Sequence, residues 1–89
     1  MANMYNLVDY SSVYKDEYGS WVVNDQYTRD EGVYIDPESS DKEILQFLKR
    51  IGWLSTDDMR RVTVEDYGDI IEVVARKGGM PLGGLYPVY

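Results

Sequence analysis

One segment of the 89-residue chain can be nothing but a helix, and it limits what the rest can form. In "SDKEILQFLKRIGWL", Ser40 and Glu43 stand at capping-box spacing, so the Ser40 hydroxyl can accept the Glu43 amide while the Glu43 side chain reaches back. Asp41 and Glu43 fall in the first turn and Lys49 and Arg50 in the last, matching the helix dipole at both ends. Ile44, Leu45, Phe47, Leu48 and Ile51 recur at helical spacing. Gly52 occupies the place of a left-handed C′ residue, from which Trp53 folds back on Leu48. The spacing predicts one helix at about Asp41–Ile51.

Outside it the pattern is that of strands. "MYNLVDY" is expected as a first strand. "GSWVVNDQYT" is expected as a second, opened by a turn at Asp16–Gly19 that joins it to a short extended piece near Val13–Tyr14. "GVYI" is a third, stopped by Asp36-Pro37. "RRVTVED" alternates, with Val62 and Val64 on one face and Arg61, Thr63 and Glu65 on the other. "DYGD" then turns the chain into "IIEVVAR". Gly78-Gly79 breaks it again, and "STDDM" reads as a single helical turn capped by Ser55 or Thr56. "PLGGLYPVY" holds Pro81, Pro87 and two glycines, which suits an edge strand or an extended tail. The expected order is β-β-β-α-β-β with a last strand in addition. That makes one α+β domain over residues 1–89: a small antiparallel β-sheet of about five strands with one α-helix packed on one face.

The composition removes much chemistry. Histidine and cysteine are both absent, and with them the commonest general base, the commonest nitrogen metal ligand and the thiol nucleophile. There is no nucleophile elbow and no phosphate-cradling glycine loop. Asp16-Glu17, Asp30-Glu31, Asp57-Asp58 and Glu65-Asp66 lack calcium-loop spacing, and adjacent acids on a strand point to opposite faces. No enzyme, no cofactor and no metal are expected. No apolar run approaches the about 20 residues of a membrane helix, and the N-terminus has no basic, apolar leader.

Net charge is −7 and is unevenly placed. Residues 1–38 carry eight acids and two bases; residues 39–89 carry eight acids and seven bases. Direct contact with nucleic-acid phosphates or anionic membranes is disfavoured, because both need clustered Lys and Arg. The acidic half also holds six of the nine tyrosines. Tyrosine suits strands with one wet face, which is the plain structural reading. Tyrosine and tryptophan are also the residues of interface cores, and carboxylates around them steer towards a basic surface. A strand face with regularly placed acids resembles a nucleic-acid backbone in charge, with Asp and Glu standing where phosphates would lie. The partner-binding residues expected on this reasoning are Tyr14, Asp16, Glu17, Tyr18, Trp21, Asp25, Tyr27, Asp30, Glu31 and Asp36.

"GSWVVNDQYT…GVYI" and "SDKEILQFLKRIGWL" resemble a group of small proteins of phages and mobile elements. In those, a W-x-V-N-D strand and a T-G turn precede a D-x-E-I-x-x-x-L-K-x-I-G-[FW]-L helix. The match spans about Ser20–Leu54 and departs at "TRDEG". Its motifs are fold motifs and carry no catalytic residue. The resemblance implies a phage or mobile-element origin and a bacterial host cytoplasm. By analogy with that class it implies an inhibitor of host defences of the anti-CRISPR kind, bound stoichiometrically to a basic nucleic-acid-binding nuclease or complex. The alternative expectation is a phage accessory or assembly module that self-associates, with "LYPVY" as the edge that pairs with its own copy.

Overall fold

The computed structural model describes residues 4–88, and for Asp30 and Glu31 the backbone alone. Five strands and two helices follow one another as β1 (Met4–Lys15), β2 (Trp21–Tyr34), α1 (Asp41–Arg50), α2 (Thr56–Arg61), β3 (Val62–Asp66), β4 (Ile71–Ala75) and β5 (Pro81–Pro87). The strands form a single antiparallel sheet in the order β2-β1-β5-β4-β3. The α+β expectation therefore holds, with α2 as an added single-turn helix.

The helix signals read from the sequence are all realised. The Ser40–Glu43 capping box closes in both directions. Gly52 takes φ +87°, and the Gly52 and Trp53 amides donate to the Lys49 and Leu48 carbonyls, which completes a Schellman motif. Ser55 and Asp58 form a second capping box that starts α2. α1 buries Ile44, Leu45 and Leu48 against one face of the sheet, where they join Tyr5, Leu7, Val33, Val64, Val73 and Leu85 in the core. The Trp53 amide returns to the Leu48 carbonyl, and the Trp53 ring reaches further. It lies against Gly83 of β5, and its indole N–H donates to the Asp9 carboxylate of β1.

Three sequence expectations need correction. The first three expected strands are two. The chain does not turn at "TRDEG"; β2 continues through it as a bulge in which Arg29, Asp30 and Glu31 stand opposite Leu7 alone. Likewise Val13–Tyr14 is the end of β1, not a separate piece. Further bulges fall at Ser11 and Asn24.

"PLGGLYPVY" is neither edge nor tail; β5 is the central strand (Tyr89 lies outside the described residues). Its prolines stand at the two strand ends. Its glycines are the reason it fits. A Cβ on Gly83 would sit 2.5 Å from Trp53 Cζ2 and 2.6 Å from the Val8 carbonyl oxygen. A Cβ on Gly84 would press on the Tyr10 hydroxyl and the Ile71 carbonyl, each at 3.1 Å. "LYPVY" is thus flanked by β1 and β4 over Pro81–Pro87 and is not the free edge proposed for self-pairing.

Candidate functional site: the acidic tyrosine ribbon

β5 covers β1 only along Tyr5–Asp9, so beyond that point β1 and β2 run on as a two-stranded ribbon that ends in the Asp16–Ser20 turn. This ribbon carries most of the residues expected from the sequence to bind a partner.

Asp16 builds the turn. Its carboxylate accepts the Tyr18 and Ser20 amides, both at 2.9 Å, and Gly19 supplies the positive φ. Glu17 and Tyr18 are held at the tip, with Tyr18 85% exposed. Tyr14 lies along the ribbon at 49% exposure, and Tyr27 stands at its base, opposite Asp9, at 61%. Asp25 is exposed, and its carboxylate accepts the neighbouring Gln26 amide. Trp21 is partly buried: its indole N–H donates to the Gly78 carbonyl at 2.8 Å and ties the ribbon to the β4–β5 turn. Asp36 stands apart, past the far end of β2, where it accepts the Glu38 amide. Of Asp30 and Glu31 only the backbone positions, within the central bulge, are described.

The two cations of this half are both engaged. Lys15 lies over the Trp21 ring at 5.0 Å from its centroid, and Arg29 pairs with Asp9 at 3.3 Å. Each contact contributes under about 1 kcal/mol at such exposure, yet each gives the cation a partner other than Glu17 or Asp25. Among the described residues neither Glu17 nor Asp25 forms an ion pair, and both share this part of the fold with three open phenol rings. The expected set is partly gathered: Tyr14, Asp16, Glu17, Tyr18, Trp21 and Asp25 share the ribbon, Tyr27 stands at its base opposite Asp9, Asp30 and Glu31 lie further back in the bulge opposite Leu7, and Asp36 does not join them.

A second polar group went unnoticed in the sequence. On the sheet face opposite the helices, the Tyr10 hydroxyl donates to Glu72 at 3.0 Å and accepts the Tyr86 hydroxyl at 2.7 Å. Burial, with these neighbours, pushes the Tyr10 phenol far above its ordinary value. Glu72 stands directly across from Glu65 on β3, and the Tyr67 hydroxyl donates to Glu65. Each of two facing carboxylates therefore receives one phenol proton, which offsets their repulsion. That hydrogen bond to Glu65 pushes Tyr67 up to about 12. The signal was the pairing of "RRVTVED" with "IIEVVAR", which sets Glu65 against Glu72, but Tyr10 and Tyr86 meet only through the unforeseen central place of β5.

Among the described residues no group of three acidic, histidine or cysteine side chains is placed to hold a metal ion, and no helix is long and apolar enough to cross a membrane. Compared with protein-family models, curated proteins and solved structures, the chain finds no match in any of the three.

Proposed function

We propose that this chain is a small binding protein that inhibits a bacterial defence system of the anti-CRISPR target class, by stoichiometric attachment of its acidic ribbon to a basic nucleic-acid-binding surface. It acts without a cofactor and without catalysis. The observation that carries this reading is the ribbon's composition in space: exposed Tyr14, Tyr18 and Tyr27 beside Glu17 and Asp25, with Lys15 and Arg29 both engaged elsewhere. Open phenol rings bury area with few torsions to freeze, and uncompensated carboxylates raise the rate of encounter with an arginine- and lysine-lined groove.

The test is capture from bacterial host lysate, followed by association kinetics with the recovered protein. A nucleic-acid-binding protein is expected, with association that slows as salt rises. Glu17→Gln, Asp25→Asn, Asp30→Asn and Glu31→Gln together are expected to slow association about tenfold or more and to change dissociation less. Asp16 is left in place because it builds the turn. Recovery of no such protein, or kinetics indifferent to salt and to the four substitutions, overturns the proposal.

A further inference from the structure

The other edge of the sheet is β3, and its backbone shows which groups are free. The Arg76 amide donates to the Arg61 carbonyl at 2.8 Å, and the Tyr67 amide donates to the Ile70 carbonyl at 2.9 Å. These bonds bracket the β3–β4 register, in which Val62 faces Ala75 and Asp66 faces Ile71. Antiparallel ladders alternate, so Thr63 and Glu65 exchange bonds with β4, whereas Val62, Val64 and Asp66 turn their N–H and C=O groups outwards. Among the described residues β3 is paired with β4 alone. One outward group has a partner: the Val62 carbonyl accepts Arg76 Nε at 2.9 Å.

β3 differs from β2, the opposite edge, in two ways. Its register is unbroken, whereas bulges divide the β1–β2 pairing in three places. Its charges are also ordered. In "RRVTVED" the basic residues Arg60 and Arg61 precede the valines, and the acids Glu65 and Asp66 follow them. Laid antiparallel on its own copy about Val64, this strand sets Val62 opposite Asp66 and Thr63 opposite Glu65. Arg61 of each copy then falls diagonally beside Glu65 of the other, on the face away from the helices. The outward groups of Val62, Val64 and Asp66 meet their counterparts in register. A groove of about 500 Å³ runs beside this edge, floored by Leu45 and Met59 and rimmed by Asp41, Lys42 and Arg76, so it too carries both signs of charge.

We infer that β3 is a self-pairing edge whose occupant is a second copy of this chain, joined antiparallel about Val64 into a ten-stranded sheet. The Arg76 side chain guards the edge in the monomer and gives up the Val62 carbonyl on pairing. The dimer carries both α1 helices on one face and leaves the two acidic ribbons at its outer ends, so it is a bivalent form of the protein. The inference does not depend on the proposed function, since the ribbon and β3 are opposite edges.

Sedimentation over a range of protein concentrations tests it, with Arg61→Glu, Glu65→Arg and the double swap R61E/E65R as variants. Arg61 and Glu65 are exposed, so the substitutions leave the core untouched. The wild type is expected to dimerise reversibly. Each single change is expected to weaken the dimer about tenfold, and the double swap to restore it, because each reversed charge again meets its opposite. Glu65→Arg is the sharper of the two. It makes an acidic chain less negative by two charges, so general repulsion alone would tighten the dimer where edge pairing loosens it. A monomer at every concentration, a dimer indifferent to the single changes, or a double swap that fails to recover would each overturn the inference.

Discussion

Gly83 and Tyr10 show how single residues decide the sheet. At Gly83 the absence of a side chain lets Trp53 lie on the central strand and lets β1 approach closely. Gly83→Ala would force a methyl group to within 3 Å of a ring and a backbone oxygen at once. Neither is the loose end of a flexible side chain, so a loss of about 2 kcal/mol or more is expected in urea denaturation, against little change for Gly19→Asn at the open turn. Tyr10 makes a pH-dependent contribution. Its folded-state pKa is raised, so the neutral phenol stabilises the fold fully below the unfolded value of about 10 and loses that contribution as pH rises beyond it. Tyr10→Phe is expected to cost about 1–2 kcal/mol at neutral pH, because the Glu72 carboxylate loses its donor. It should also flatten the fall in stability above about pH 10. Denaturation midpoints across the alkaline range, for both chains, check the two effects together.

At the scale of elements, the parts legible in the sequence are those whose determinants are local. α1 was legible because cap, charge order, apolar period and terminal glycine all lie within Ser40–Trp53. The β3–β4 hairpin was legible for the same reason: "DYGD" sits between two alternating runs, and Gly68 takes the positive φ the turn needs. β2 was misread because Arg29, Asp30 and Glu31 look like a polar turn, and only the continued pairing of Gly32–Tyr34 with β1 shows them to be a bulge. β5 was misread because Gly and Pro argue against a central strand unless something large needs the space. That something, Trp53, is thirty positions away. A local determinant should act locally when removed. Ser40→Ala takes the hydroxyl from a box that starts a helix with three buried residues, so about 1 kcal/mol of global stability is expected to go. Ser55→Ala removes the same device from α2, which buries no residue, and should shift the global midpoint less. That smaller effect should fade further in acid. The Ser55 amide and hydroxyl hold the Asp58 carboxyl below its usual range, a contribution present above the unfolded value of about 4 and lost as pH falls.

Across the whole molecule the sheet divides into a covered half and an open arm. Tyr5–Asp9 of β1 lie between β2 and β5 and under the helix layer, whereas among the described residues Ser12–Lys15 pair with β2 alone. A two-stranded ribbon is marginal by itself in water, so this arm depends on what ties it down. The described ties are few: the Trp21 indole on the Gly78 carbonyl, Lys15 on the Trp21 ring and the Asp16 turn. The sequence showed which residues the arm carries, because aromatic rings and acids alternate visibly between Tyr14 and Tyr27. It did not show that Trp21 is tethered to the Gly78 carbonyl, since Gly78 is distant in the chain. Amide exchange measures how firmly that tether holds the arm. Amides of Leu7, Val73 and Leu85 are expected to exchange only on global unfolding, while those of residues 12–25 open through a smaller, local step. Trp21→Phe keeps a ring beneath Lys15 but removes the donor to Gly78. Faster exchange along residues 12–25, with an unchanged denaturation midpoint, is the expected result. Equal loss of protection in arm and core would instead make the ribbon part of one cooperative unit, leaving it too stiff to mould itself to a basic groove.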